Sequence, residues 1–253
     1  MLDRMLRIFG WRFLLITGDP CVLDRWLWLR RHLRAGKLRT FDAGCGNGAF
    51  SIFAATIGNE VVAASFSERE QDDARKRAEI LDVNGIDFRI IDLRELEDHR
   101  QALGLFDQII CLETIEHVGD DSGLVRSLTA MLEPGGRLLL STPFDGHRPL
   151  FTEDPCPSPV EDGSHVRYGY SQQQLCEIVT NAGLEVQSEA FVSGLLSQKL
   201  TNLMRRLTAR AGLLPAWTAV LVLRPLVAFD RLLGRALHYP YLSVALCAVK
   251  AAA

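Results

Sequence analysis

The stretch Phe41-Asp42-Ala43-Gly44-Cys45-Gly46-Asn47-Gly48 sets three glycines at alternate positions directly after a strand ending at Thr40-Phe41-Asp42. Glycines let the backbone turn sharply and let a ligand approach where a Cβ would stand in the way. The helix that follows aims its N-terminus, with its free N–H groups, at the same place. Alone the turn is weak evidence, because a structural turn without any ligand has the same composition. Ala49 also permits a G-x-G-x-x-A reading that would suit a dinucleotide.

Outward from this turn the chain alternates between strand and helix patterns. A helix is expected over 49–57 and a strand over 60–65. Ser67 caps a helix running to 83, and Ser67 with Glu70 reads as an S-x-x-E capping box. Asn84-Gly85 ends that helix. Strands follow over 88–91 and 107–112, then a helix over 122–132. Pro134-Gly135-Gly136 turns the chain into a strand over 137–142. Ser171 starts another helix, which Gly183 closes. A strand over 185–192, about 45 helical residues and a last strand over 242–249 complete the chain. Alternation of this kind marks an α/β protein with a doubly wound, mostly parallel sheet. Ahead of it, Leu23, Trp26, Leu27 and Arg30 keep helical spacing after the start signal Asp19-Pro20. The expected parts are a helical segment 1–39, a core 40–196, a helical insert 197–240 and a last core strand 241–253.

The chain of 253 residues is 48% hydrophobic and 23% charged, a globular balance. Six cysteines, none in a C-x-x-C pair, read as reduced, packed thiols of a cytoplasmic protein rather than as a zinc or redox site. The net charge of −3 conceals an asymmetry. Residues 1–40 carry nine Lys/Arg against three acids, residues 197–253 eight against one, and the middle 11 against 27. Basic, apolar ends fit an anionic membrane surface, whereas the acidic middle would repel nucleic acid. No secretory signal is evident: Trp11-Arg12 interrupts the apolar run over 8–16. The apolar stretch 213–229 holds Pro215, Arg224 and Pro225, which argues against a spanning helix.

Three further segments bring a family into view: Phe106-Asp107-Gln108-Ile109-Ile110-Cys111-Leu112-Glu113, Leu132-Glu133-Pro134-Gly135-Gly136-Arg137-Leu138-Leu139-Leu140, and Tyr170-Ser171 through Ala182-Gly183-Leu184-Glu185-Val186. With D-x-G-x-G-x-G at 42–48, in this order and spacing, they closely resemble the class I S-adenosylmethionine-dependent methyltransferases. The resemblance covers about residues 40–192 and the last strand. It implies a seven-stranded Rossmann-like sheet with the last strand antiparallel, and S-adenosylmethionine as cofactor. It assigns Gly44, Cys45, Gly46 and Gly48 to a cradle for the cofactor's amino-acid part, with Asp42 orienting the turn or the cofactor's amino group. Ser65 and Phe66 would meet the ribose, Asp92 and Leu93 the adenine, and Leu112 and Glu113 the methionine moiety. One departure stands out: the family usually has an acid where this chain has Ser65. On that alignment Ser65→Asp is expected to tighten cofactor binding.

Glu113-Thr114-Ile115-Glu116-His117 resembles the E-x-x-E-H stretch of ubiquinone-type O-methyltransferases and small-RNA 2′-O-methyltransferases, which in some relatives binds a divalent cation. Three readings of it stand open: a structural cluster touching the cofactor, a divalent metal site, or His117 as general base. The structural reading is preferred and no metal ligand is assigned. The loop 143–169, with five prolines, has the length of a functional lid. It offers His147 and His165 as catalytic candidates, with Asp145, Arg148, Glu153, Asp154, Tyr168 and Tyr170 nearby. Arg167 suits either an anionic substrate group or a loop salt bridge.

Leu200, Leu203, Met204, Leu207, Ala211 and Leu214 fall at helical spacing, with Lys199, Arg205, Arg206 and Arg210 on other faces. This insert reads as a cap over the sheet or active site, as a peripheral membrane contact at the inner face, or as a homodimer surface, with Leu6, Phe9, Trp11, Phe13 and Leu14 joining the same patch. The function expected is O-methylation of a hydroxyl or carboxyl on a hydrophobic, lipid-linked or saccharide small molecule. The alternatives are an N-, C- or RNA methyltransferase, and a scaffold that keeps the fold without chemistry.

Overall fold

The computed structural model describes residues 6–8, 10–12, 20–148 and 157–252. Helix α1 (Pro20–His32) precedes the alternating part. There follow β1 (Arg39–Ala43), α2 (Ala49–Thr56), β2 (Glu60–Ser65), α3 (Glu68–Ile80), β3 (Ile86–Ile90), α4 (Leu96–Leu103), β4 (Phe106–Leu112), α5 (Asp121–Ala130) and β5 (Leu132–Pro143). After a long loop come α6 (Gln172–Asn181), β6 (Leu184–Val192), α7 (Leu195–Ala211), α8 (Leu213–Leu223), a 3-10 turn, α9 (Asp230–Ala236) and β7 (Ser243–Lys250). The seven strands form one sheet in the order β3-β2-β1-β4-β5-β7-β6. The first five are parallel, and β7 runs antiparallel to both β5 and β6. The doubly wound seven-stranded fold expected from the sequence is therefore the fold observed.

The central strands read as apolar runs because both of their faces are covered. Phe41, Phe106, Ile109, Cys111, Leu138 and Leu140 pack on one side of the sheet with Leu124, Leu128 and Leu175. Ile110, Leu112 and Leu139 face the other side, against Trp28, Leu29 and Phe53. Helix α1 thus closes one face of the sheet.

Some expectations need correction. Residues 93–103, to which the sequence reading assigned no element, form a short 3-10 turn and α4, which buries Leu96 and Leu103. Strand β5 begins at Leu132, so Pro134-Gly135-Gly136 lies inside it as an irregular entry rather than ahead of it. The Ser67–Glu70 box is only half formed: Ser67 accepts from the Glu70 N–H, but the Glu70 side chain turns elsewhere. The complete box is Ser171–Gln174, at the start of α6. The insert is rooted between Val192 and Ser243, and packs on α1 and on itself rather than over the sheet's centre. Phe9, Phe13 and Leu14 lie outside the described residues, and Leu6 is buried. The five described cysteines are free, four of them buried.

Helix α7 has Gly194 as its N-cap and therefore no capping side chain of its own. Asp230 supplies the cap from α9: its carboxylate accepts from Leu196 N at 2.7 Å and Ser197 N at 3.2 Å. A Cβ at Gly194 would stand 2.7 Å from that carboxylate, so glycine there makes room for the distant cap. Loss of a helix cap costs about 1–2 kcal/mol. Asp230→Ala is accordingly expected to lower the unfolding free energy from urea melts by that amount, seen as a lower midpoint, and an unchanged midpoint would reject the capping role.

Candidate functional site

The cavity lies at the carboxyl edge of the parallel strands, where ligands of open α/β sheets bind. It has a volume of about 590 Å³, within the range of small-molecule sites. Its walls come from the turns after β1, β2, the strand end at residue 91, and β4, together with the loop segment 161–163.

Two turns meet to form its floor. Gly44 has φ +84°, and a Cβ there would stand 2.3 Å from Thr114 Oγ1. Only glycine lets the turn after β1 press against the turn after β4. Gly46, at φ +49°, has nothing within 4 Å of the place a Cβ would take. It borders the cavity and leaves open the space that a ligand's polar end could enter.

Of the expected site residues, Gly44, Gly46, Ser65, Phe66, Asp92, Leu93, Glu113 and His117 border the cavity. Asp42, Cys45, Gly48, Leu112, His147 and His165 do not. The first five of these have a physical reason to be elsewhere. Asp42 is buried beneath the turn and accepts a hydrogen bond from Ser51 Oγ at 2.5 Å. It therefore orients the turn, one of the two roles expected, rather than touching a ligand in the cavity. Cys45 points into the core, where Gln71 Nε2 donates to its Sγ. Gly48 is a packing glycine, since a Cβ there would meet Ala74 Cβ at 2.8 Å. Leu112 belongs to the apolar layer below the edge. The ring of His147 is bonded to the carbonyl of Phe144 three residues back. Glu153 and Asp154 lie outside the described residues.

Glu70 is a cavity residue that the sequence reading placed only in a helix cap. The amide of Ser67 donates to Ser65 Oγ at 3.3 Å, and that hydroxyl donates to Glu70 Oε2 at 3.0 Å. Both Ser65 and Glu70 border the cavity. A carboxylate thus stands beside the end of β2 after all, delivered from the first turn of α3. Its signal was the S-x-x-E spacing, which gave no means of telling whether the glutamate folds back on the helix or reaches forward.

On the far wall the Arg94 guanidinium, through Nε, donates to both Asp92 oxygens at 2.9 Å, and it holds the Asp92 carboxyl below its ordinary range. Arg94 also pairs with Glu161 at 3.5 Å, and Glu161 accepts from Gly119 N at 2.7 Å. These bonds tie the loop across the cavity. Arg167 is the salt-bridge partner of Asp121 and donates to the carbonyls of Val118 and Gly119. That selects the loop-bridge role for it over substrate binding.

Glu113 adopts φ +53° and is held from three elements. Arg25 of α1 pairs with it at 3.0 Å, Ser141 and Ser243 donate to its two oxygens, and its own N–H donates to Ser141 O. Glu116 is fully buried, with Oε2 accepting from Thr142 and Oε1 lacking a partner. Burial, reinforced by the charge of Glu113, pushes its carboxyl well above the usual range. His165 stacks edge-on against His117, the ring centres 4.6 Å apart. Ligand atoms of Glu116, His117 and His165 lie within 4.8 Å of one another, a donor set suited to a divalent cation.

A seven-stranded sheet with β7 reversed and a carboxyl-edge cavity under a glycine turn defines the class I S-adenosylmethionine-dependent methyltransferase fold. A family model described as a methyltransferase domain matches residues 24–189, and the chain belongs to that family. The chain is 34% identical over 104 residues to the ubiquinone biosynthesis O-methyltransferase of Xanthomonas axonopodis pv. citri, covering 41% of this chain and 42% of that one. With the enzyme of the same name from Acinetobacter baylyi it shares 32% identity over 117 residues, 46% and 48% of the two chains. The chain thus spans about half the length of these curated relatives. Among solved structures, an S-adenosylmethionine-dependent methyltransferase from Mesorhizobium loti superposes with a TM-score of 0.58 at 20% identity, covering 93% of this chain and all of that one (100%). The [4+2]-cyclase SpnF superposes with a TM-score of 0.61, also at 20% identity, over 90% and 81% of the two chains. These two likenesses concern the fold alone.

Burial pushes the Asp42 carboxyl from 3.8 up to about 6, with the Ser51 bonds pulling the other way. As pH rises the unfolded chain therefore gives up this proton first. The group's contribution to folding stability falls across about pH 4 to 6 and stays low above that window. At 1.36 kcal/mol per unit the fall is roughly 3 kcal/mol. Relative to the wild type, Asp42→Asn is expected to gain stability across that window in urea melts. A wild-type-minus-variant difference that is flat with pH would reject the assignment.

Proposed function

We propose that this chain is an S-adenosylmethionine-dependent methyltransferase that methylates an oxygen of a hydrophobic small molecule. The observation that carries the reading is the joint placement of Gly46, Glu70 with Ser65, and Glu113 around one cavity at the carboxyl edge. The residues present fit the cofactor. Gly46 leaves room at the turn for its amino-acid end. Glu70 offers the paired ribose hydroxyls a carboxylate, the group that the alignment alone had missed at Ser65. Phe66, 61% exposed, presents a ring beside Leu93 and Asp92 where an adenine would lie. The similarity to ubiquinone O-methyltransferases supports oxygen as the acceptor atom.

The bound cofactor supplies an activated methyl group: its carbon–sulfur bond breaks as the carbon–oxygen bond forms, and the sulfonium becomes a neutral thioether. The protein's tasks are alignment and exclusion of water. A hydroxyl acceptor also gives up a proton. His117 is the group placed to take it, because it borders the cavity. His165, pressed against that ring, positions it. A second reading rests on the unpartnered Glu116 Oε1: the same three side chains could hold a divalent cation, with Glu116 ionised, which would orient the acceptor oxygen. Activity that survives chelation and is lost in His117→Gln favours the base. Activity lost on chelation and restored by magnesium or manganese favours the cation.

Hydrogen bonds to a charged group are worth about 1.5–3 kcal/mol. Glu70→Gln is therefore expected to weaken binding of S-adenosylhomocysteine, followed by calorimetry, by about tenfold or more. Ser65→Asp, first expected to tighten binding, would place a second carboxylate about 3 Å from Glu70 and is now expected to weaken it. Unchanged affinity in Glu70→Gln would remove Glu70 from the ribose site. Absence of binding by the folded wild type would favour a scaffold.

A further inference from the structure

The helices α8 and α9 have an inner face and an outer face of different character. Ala216 and Val220 are buried against Met204, and Trp217 packs near Leu6, Ile52 and Ala78. Asp230 and Gly234 turn inward on α9. The outer face is apolar and uncovered. Nine of the sixteen large apolar side chains exposed among the described residues fall within 213–237. Val222 is 73% exposed, Leu232 67% and Phe229 54%. Single exposed apolar residues are ordinary, whereas a concentration of them on one element marks a contact surface. Arg231 and Arg235 flank this face on α9, and Arg205, Arg206 and Arg210 are exposed on α7. In 197–253 basic residues outnumber acidic ones eight to one, and the one acid, Asp230, is buried.

We propose that the outer face of α8 and α9 docks on an anionic lipid bilayer surface. Charge selects this occupant: an apolar face rimmed by arginines, on a chain whose middle is acidic, matches a surface of anionic headgroups over hydrocarbon. A second copy of the chain would bring like-charged arginine rims together. The run Leu213–Ala236 is long and apolar enough to cross a membrane, with a mean hydropathy of 1.5. Its geometry opposes that course. Helix α8 ends after 11 residues, about 16 Å at 1.5 Å per residue, half the thickness of a bilayer core. Arg224 then interrupts the run, with its Nε and one terminal nitrogen buried against the protein.

Placement gives the docking a consequence. The insert leaves the sheet after Val192 and returns at Ser243, which pairs with both Val192 and the last residue of β5, Pro143. That is the edge on which the cavity opens, and Ser243 itself donates to Glu113 at 3.2 Å. The insert is therefore rooted at the cavity's edge of the sheet, the edge that an acceptor held in lipid would have to reach.

The test is flotation of the full chain with phosphatidylcholine vesicles, with and without phosphatidylglycerol, and needs neither cofactor nor acceptor, so its failure is distinct from failure of the methyl-transfer reading. Partition is expected to rise about tenfold with the anionic lipid and to fall steeply at high salt. The double variant Phe229→Ser/Leu232→Ser is expected to lose binding by about tenfold or more. Both side chains are exposed, so its thermal midpoint and circular dichroism serve as the control for folding. A chain that stays in the lipid-free fraction overturns the proposal. So does bound protein that resists alkaline carbonate, which indicates spanning, or a dimer by sedimentation that the double variant dissolves while vesicle binding is absent.

Discussion

Everything at the carboxyl edge depends on one contact, the backbone of Gly44 against the side chain of Thr114. Strands β1 and β4 are hydrogen-bonded neighbours, so the turns that leave them are forced to share space. A Cβ at residue 44 would stand 2.3 Å from Thr114 Oγ1, which leaves no alternative to glycine. With that contact made, the turn from Gly44 and the turn through Glu113 form adjoining walls of one cavity. The second wall carries its own strain. A left-handed conformation at a residue with a side chain costs about 1–2 kcal/mol, and Glu113 is kept in it by Arg25, Ser141 and Ser243 together. Helix α1, outside the alternating core in sequence, is therefore part of the site's construction.

The two glutamates three positions apart show how environment separates like groups. Glu113 faces the cavity, paired with a guanidinium and two hydroxyls. Glu116 is sealed below, one oxygen bonded to Thr142 and the other to nothing, and burial together with the Glu113 charge favours its neutral form. Sequence spacing presents them as equivalent members of one cluster. The difference arises from which way the short 3-10 turn over Ile115–His117 carries each side chain.

What the sequence made legible was set by local chemistry. The strands over 107–112 and 137–142 are long apolar runs because both faces of the sheet are covered, and their order with the glycine turn determined the topology. Of the eight expected residues that border the cavity, Gly44, Ser65, Phe66, Asp92 and Glu113 sit within two positions of a strand end. What it hid was set by choices between partners. Glu70 can fold back on Ser67 or reach Ser65, and both fit S-x-x-E. Arg25 finds Glu113 only after α1 docks on the sheet. Arg94 and Glu161 meet only because the loop crosses the cavity. Helix α4 escaped notice because it is short and opens on charged residues, Glu97 and Asp98, with only Leu96 and Leu103 buried.

On the proposed reading these partner choices also suit the chemistry. A sulfonium carries a positive charge that vanishes as the methyl group leaves. An unpaired carboxylate beside it would favour the charged reactant over the transition state, and so hold back transfer. Here Glu113 has its charge offset by Arg25 at 3.0 Å, and burial keeps the Glu116 carboxyl disposed to its neutral form. Glu70, a carboxylate open to the cavity, stands at the end of β2, across the glycine turn from β4. Negative charge is thereby placed where a neutral ribose can be gripped and muted where a disappearing cation would be held too well. The arrangement separates binding from chemistry within a single cavity, and it does so with groups drawn from α1, α3, β4, β5 and β7.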